Sequence, residues 1–399
     1  MRPIAADELE VFAGADAVAF GAAVDPRALE NLRAVLDLSR SRAVFDGDRL
    51  VAASGSIGFE LTLPGLTITP AAGVSWVGVV PTHRRRGALR LVMGALLEDA
   101  AARSEPVAIL TASESHLYGR FGFGVGTSRL SWTIDRRDAA LASPPDATGA
   151  LALLDAAEAR SVLPPLFDRA RRAQPGDLDR SDQWWDANLR EPEGPPPRRG
   201  ARFTVVHRGT DGPDGYATYA VEGNWEQGVP KGQLVVHELV AQDAATEAAL
   251  WRYLFAMDLV EVVEARNRPV DEPLRWMLAD PRRLRMAGVR DELWVRLLDV
   301  PAALAARRYA VDGELVIEVE GARAYRLAGG PGGAECGATG AGATDLTVGL
   351  ADLGALYLGG VAPSTLARAG RVVESHPGAL ARADAMFATQ PAPFSRSSF

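Results

Sequence analysis

VSWVGVVPTHRRRGALRLVMGALLEDAAA, residues 74–102, decides the fold of the first third of the chain. Its opening, residues 74–80, is a short β-branched, apolar run bounded by Gly73 and Pro81, and it reads as a buried strand with Gly78 at a bulge. Beyond it, Leu89, Val92, Met93, Leu96, Leu97 and Ala100 recur at helical spacing, so an amphipathic helix is expected to begin near Gly87. Three arginines, Arg84, Arg85 and Arg86, stand at the junction. A strand that breaks and feeds a helix leaves the first-turn N–H groups unpaired and converging, and the helix dipole favours an anion there. A glycine at position 87 keeps the backbone open to close approach, so the stretch carries chemistry for a diphosphate.

Working outward, residues 107–112 (VAILTA) read as the next strand, which would lie beside the first and deliver SESHLYGRFGFG, residues 113–124, to the same sheet edge. The turn-rich ASPPDATG (142–149) closes the first region. In the middle region the proline-rich EPEGPPPRRG (191–200) is a loop by composition, whereas QLVVHELVA and TEAALWRYLFAM read as a strand followed by a helix. From about residue 290, strands precede helices, which suggests an α+β unit. The expected domains are 1–145, 146–289 and 290–399.

The chain has 399 residues, 47% of them hydrophobic and 24% charged, and no apolar run reaches the ~20 residues of a membrane span. The N-terminal stretch does not look like a secretion signal, so a cytoplasmic location is expected. A formal charge of −8 argues against a nucleic-acid partner and favours a cationic one. Cys336 is the only cysteine, and no His pair has metal-ligand spacing, so neither a disulfide framework nor a metal site is expected.

The pattern Arg84-x-x-Gly87-x-Leu89 resembles the coenzyme A signature of GCN5-related N-acetyltransferases, departing from it at Leu89, where that signature has Gly or Ala. PTHRRRG (81–87), SESHLYGRFGFG (113–124) and the aromatic C-terminus more closely resemble the Eis family of acetyltransferases. That resemblance implies two acetyltransferase-like α/β domains, the second degenerate, followed by a sterol-carrier-like α+β domain. No second phosphate loop occurs between 150 and 285. It further implies acetyl-CoA as donor, an amine acceptor such as an aminoglycoside-like polyamine or a lysine side chain, and a homohexamer.

Matched residue by residue, the resemblance places Val77, Gly78, Val79, Arg85, Arg86, Gly87, Ala88, Leu89, Arg90, Ser113 and Glu114 at acetyl-CoA-binding positions. Ser113 and Glu114 have a second reading, as a helix cap. Tyr118 falls where the family has its proton donor, and a phenol with pKa near ~10 is suited to protonating a thiolate. Residues 74–80 hold no carboxylate, so the base comes from elsewhere, and the family points to the α-carboxylate of Phe399. Its ordinary pKa of ~3.3–3.7 would have to be raised by burial. An N–H of residues 77–79 would polarise the thioester carbonyl if Gly78 marks a bulge. Trp76 either lines the amine pocket or packs in the core. His83 is expected to order its turn or to face the cofactor, His116 to stand behind Tyr118, and the pair Trp184-Trp185 to dock a helix. The reading from a different class is a lipid-binding or regulatory protein acting through its last domain.

Overall fold

The computed structural model describes residues 1–142, 148–190, 200–340 and 344–399. The boundary expected at 145, most of the turn-rich 142–149 and nearly all of the proline-rich 191–200 fall outside the described residues. The chain resolves into two compact units: residues 1–127, 175–184 and 291–399 form the first, and residues 128–174 and 185–290 the second.

The first unit contains a six-stranded sheet and a five-stranded one. In the larger sheet β1 (Ser41–Asp46), β2 (Arg49–Thr62), β3 (Ile68–Val79) and β4 (Val107–Thr111) lie in that order, followed by strand Leu293–Leu297 and then Gly124–Val125. Residues near the start of the third region therefore complete the sheet begun by the first, with Leu293 paired to Thr111 and Leu297 to Val107. α1 (Leu9–Ala19) buries Leu9, Phe12 and Ala15. α3 (Ala88–Ala102), which follows α2 (Pro26–Val35), buries Ala88, Val92, Met93, Leu96, Leu97 and Ala100, the apolar stripe read from the sequence.

The smaller sheet runs Gly333–Ala338, Ala324–Gly330, Gly313–Val319, Leu346–Val348, Val372–Glu374, and helices such as Leu350–Tyr357 and Ala379–Phe387 pack in this part of the chain. Four of its strands precede helices Leu350–Tyr357 and Ala379–Phe387, though helix Val300–Ala306 comes before them all and strand Val372–Glu374 lies between the later helices, a mixture consistent with the expected α+β unit. Leu293, Val295 and Leu297 of the larger sheet share one buried cluster with Leu315, Ile317, Leu353, Tyr357 and Phe387, so a single core joins the two sheets of this unit. Cys336 lies in the smaller sheet, where burial pushes its thiol up to about 11 and keeps it protonated at neutral pH.

The second unit is built on a seven-stranded sheet in which Gly232–Ala241 runs parallel to Val260–Arg268, the two linked through helix Ala244–Phe255. The strand-then-helix order read in the middle region is thus observed. At the start of this helix the Asp243 carboxylate accepts from the Thr246 N–H at 2.8 Å, and that hydrogen bond holds its carboxyl below the usual range. A helix start closed by its own anion offers nothing to a phosphate. Within this unit Trp185 is buried edge-on against Phe167, with ring centroids 5.6 Å apart, which accords with a docked helix.

Candidate active site

β3 and β4 run parallel and pair only over Ala71–Val107, Ala72–Ala108 and Gly73–Ile109. Beyond Gly73 they part, and β3 continues to Val79 with a partner only in β2. The bulge lies one step earlier than expected. Ser75 opposes Gly55 and Gly78 opposes Ala53, so Trp76 and Val77 together face Ser54 alone, and Trp76 takes φ +51°. Gly78 is a regular paired residue, and what it provides is close approach: a Cβ there would stand 3.0 Å from Ala19 Cβ and 3.2 Å from the Cα of Asp16. The absent side chain lets α1 settle against the strand.

From Val80 the chain turns through the short helix Pro81–His83 and reaches Gly87, whose φ of +88° favours glycine, before α3 begins without a side-chain cap. A Cβ at Gly87 would meet nothing within 4 Å, so backbone conformation is what requires glycine there. His83 fastens the turn through Thr82 Oγ1 at 2.8 Å and Asp46 Oδ2 at 3.1 Å. Arg84 fastens it too, donating to the carbonyl of Ala19 at 2.7 Å and that of Val79 at 3.4 Å. Arg85, at φ +62°, and Arg90 are exposed and hold no ion pair among the described residues.

These elements surround a cavity of 680 Å³. Val77, Gly78, Val79, Arg85, Gly87, Ala88, Leu89, Arg90, Ser113 and Glu114 all line it. Arg86 is exposed and stands outside the lining. Tyr118 also lines it, with its ring set edge-on to Phe123 at 6.3 Å. Burial pushes the Tyr118 phenol above its ordinary value, and the nearby carboxylates of Glu114 and Asp16 push the same way, while a hydrogen bond with the Ser113 side chain opposes them. His116 is exposed, 3.9 Å from Glu114.

A second cavity, of 260 Å³, shares Phe20, Val77, Ser113 and Tyr118 with the first and is closed by Asp16, Ser75, Trp76, Thr111 and Phe399. Here the C-terminus reaches the place where β3 and β4 part. The Phe399 ring packs on Phe59 with centroids 4.7 Å apart, and its terminal oxygen accepts from Thr111 Oγ1 at 3.4 Å. A chain of anchors holds the tail. Phe394, 2% exposed, donates its N–H to Pro175 O at 2.9 Å, and Arg396 pairs with the buried carboxylate of Asp177. Arg180, stacked on Trp184, donates to Ser397 Oγ at 3.0 Å, and Ser398 Oγ donates to Glu292 at 2.8 Å. Trp76 both lines this cavity and packs against the core beneath α1.

The residues that the sequence reading missed are Asp16, Phe20 and Thr111. Asp16 was legible in principle: it continues the buried stripe of Leu9 and Phe12, and a carboxylate on the apolar face of a helix is a signal.

Models of an acetyltransferase (GNAT) domain match residues 1–126 and 176–297, and a sterol carrier protein domain matches 300–396. An "uncharacterized N-acetyltransferase" of Streptomyces avermitilis is 40% identical over 365 residues, 90% of this chain and 89% of that one. The N-acetyltransferase Eis of Mycobacterium tuberculosis is 37% identical over 350 residues, covering 86% of this chain and 84% of its own. The crystal structure of Eis1 from Mycobacterium abscessus superposes with a TM-score of 0.88 at 36% identity, over 100% of this chain and 99% of the other. A split sheet edge feeding an arginine-flanked helix, two acetyltransferase domains, a sterol-carrier domain and relatives of this identity over most of their length have one explanation: the chain belongs to the Eis family of GCN5-related N-acetyltransferases.

Proposed function

We propose that the protein transfers an acetyl group from acetyl-CoA directly to a primary amine of a cationic acceptor, either an aminoglycoside-like polyamine or a lysine side chain. The observation that carries this reading is that Tyr118 and Phe399 line one cavity, which shares Val77, Ser113 and Tyr118 with the larger cavity at the start of α3. The larger cavity takes the donor: the uncapped first turn of α3 and the guanidinium groups of Arg85 and Arg90 meet its diphosphate, with Arg86 adding charge from outside the lining. Ser113 and Glu114 line the same cavity. An N–H of residues 77–79, on the stretch of β3 released from β4, polarises the thioester carbonyl.

In the reaction the Phe399 α-carboxylate accepts a proton from the acceptor's ammonium, directly or through water. The free amine then attacks the thioester carbonyl carbon, so that a C–N bond forms as the C–S bond breaks. Tyr118 donates its phenolic proton to the departing thiolate, and the proton shed by the new amide nitrogen restores the balance. No acetyl-enzyme is needed, because Cys336 lies in the smaller sheet, away from the cavity lining. The second unit contributes no acyl transfer on this reading, since Asp243 already fills its helix start. As parts of the same reading, the chain is divided near 145 and 290, works in the cytoplasm without a metal, and assembles as a homohexamer.

The test is steady-state acetylation of an aminoglycoside and of a lysine peptide by the wild type, Tyr118→Phe, and a variant extended beyond Phe399. Loss of kcat by ~10²-fold in both variants, with acetyl-CoA still bound, supports the mechanism. Near-wild-type rates in the extended variant would remove the terminal carboxylate from it.

A further inference from the structure

The smaller cavity contains a second carboxylate that this mechanism does not use. Asp16 sits on α1, where Gly78 allows the helix to approach β3, and it faces the same 260 Å³ as Trp76, Tyr118 and Phe399. Its Oδ1 is out of solvent and has no hydrogen-bond partner. An unpartnered buried carboxylate oxygen is destabilising and is ordinarily neutralised by a cation or a donor. Nothing within the described residues supplies one. Arg84 of the adjoining loop is committed to the carbonyls of Ala19 and Val79, and Arg85 and Arg90, unpaired among the described residues, line the larger cavity but not the smaller one.

We infer that Asp16 seats the acceptor's ammonium group, so that Asp16 and the Phe399 carboxylate together make the acceptor pocket selective for amines that arrive charged. The inference rests on the proposed acetyl transfer and extends it to acceptor recognition. The Trp76 indole lines the same space and gives a cation an apolar, electron-rich wall. Paired with an ammonium, the Asp16 carboxylate gains the cation its surroundings do not supply, and the bound amine is held beside residue 77, where the larger cavity begins.

The surroundings set the pH behaviour. Strand β3 offers Asp16 only Val74, Ser75, Trp76 and Val77 as cavity neighbours, none of which ionises. The segment after β4 contributes the Tyr118 phenol, with Glu114 beyond it, the tail contributes the Phe399 carboxylate, and the loop contributes the occupied Arg84. Without a cationic neighbour, burial raises the Asp16 carboxyl to about 6. Acceptor capture should therefore weaken as pH falls through about 6, where Asp16 becomes neutral.

The experiment uses the full chain as wild type, Asp16→Asn and Asp16→Glu, with kanamycin and a lysine peptide as probes, from pH 5.5 to 9. Asp16→Asn is expected to raise the acceptor KM at least tenfold, to leave the acetyl-CoA KM within twofold, and to lose the component of the acid limb near pH 6; Asp16→Glu should recover part of the affinity. An Asp16→Asn enzyme with wild-type acceptor KM and pH profile overturns the inference. If the wild type binds acetyl-CoA yet acetylates no amine, the acetyltransferase reading fails by itself. Asp16 is then judged by calorimetric binding of kanamycin: weaker binding to Asp16→Asn supports its role, and equal binding, or none to the wild type, refutes it.

Discussion

Gly73 and Phe399 occupy each other's space: a Cβ on Gly73 would lie 2.9 Å from Phe399 Cε2 and 2.4 Å from Phe59 Cε2. The last paired residue of β3 before the strands part is thus bare because two rings, tilted against each other, cover it. Gly73→Ala should push the Phe399 ring off its seat and move the terminal carboxylate with it. The expected outcome is a fall in kcat of roughly 10²-fold with unchanged acetyl-CoA affinity, since small misplacement of a reacting group is costly. Steady-state kinetics beside calorimetric titration of coenzyme A check it.

Tail placement also depends on Asp177 and Arg396, and the two partners are unequal. Asp177 is fully buried, and its side chain is 0% exposed against 16% for Arg396. Arg396→Ala leaves a carboxylate buried without its cation and should cost more thermal stability, by about 3 kcal/mol or more. Asp177→Ala leaves a guanidinium near the surface that can swing to water but also deprives the Leu178 and Arg396 N–H groups of their acceptor, so it should cost less stability than Arg396→Ala while freeing the tail. Melting curves together with carboxypeptidase sensitivity separate these outcomes: Asp177→Ala digested no faster than the wild type would contradict the anchor.

The strand-to-helix junction was legible because two periodicities meet there, a β-branched run and then the Leu89-to-Ala100 stripe, and each constrains its own element. The details at the junction were not. Glycine is permissive for several reasons, and at Gly78 the reason is the passage of α1, a contact between segments some sixty residues apart that no local pattern encodes. The bulge falls instead on Trp76 and Val77, and its positive φ on Trp76. Composition also says nothing of where a C-terminus goes; the resemblance supplied Phe399, and the anchors at Pro175, Asp177 and Arg180 show how the path is fixed. Asp16 escaped notice because AGADAVAF reads as a plain alanine-rich helix until the stripe through Leu9 and Phe12 is extended.

Arg84 and Arg85 are adjacent but differently employed. Arg84 binds two carbonyls of the fold, whereas Arg85 lines the cavity in a left-handed conformation and is exposed. Arg85→Ala should raise the acetyl-CoA KM by about 10-fold, an effect that shrinks as salt screens the lost attraction. Arg84→Ala should instead loosen the loop and lower the melting temperature as well as the affinity. Acetyl-CoA titrations between low and high ionic strength distinguish a charge effect from a structural one.

Burial holds the Tyr118 phenol protonated beyond its ordinary range, so any alkaline fall in rate between pH 8 and 9.5 must come from another group. Ser113→Ala removes the one interaction that favours the phenolate and should push the phenol higher still. A modest drop in kcat, about two- to fivefold, without a change in acceptor KM is the expected result. A new ionisation below pH 9 in Ser113→Ala would contradict the assignment.

Asp16 makes a prediction about folding that is independent of catalysis. Its carboxyl is raised to about 6 in the folded chain against ~3.9 when unfolded, so between those values the folded state binds the extra proton. Stability contributed by this group is present below about pH 4 and is lost as pH rises through about 6, which leaves the ionised form a net cost at neutral pH. Asp16→Asn, of nearly equal shape and unable to ionise, should raise the melting temperature at pH 7.5 by about 2 °C and give no gain near pH 4. A saturating polycation such as kanamycin should close the gap at pH 7.5 by pairing the wild-type carboxylate, whereas the asparagine variant has no charge to offer it. A residue that weakens the fold and recovers only when a cation arrives behaves as part of a binding site; equal melting temperatures across the whole pH range would mean that the Asp16 carboxyl finds another way to stay solvated.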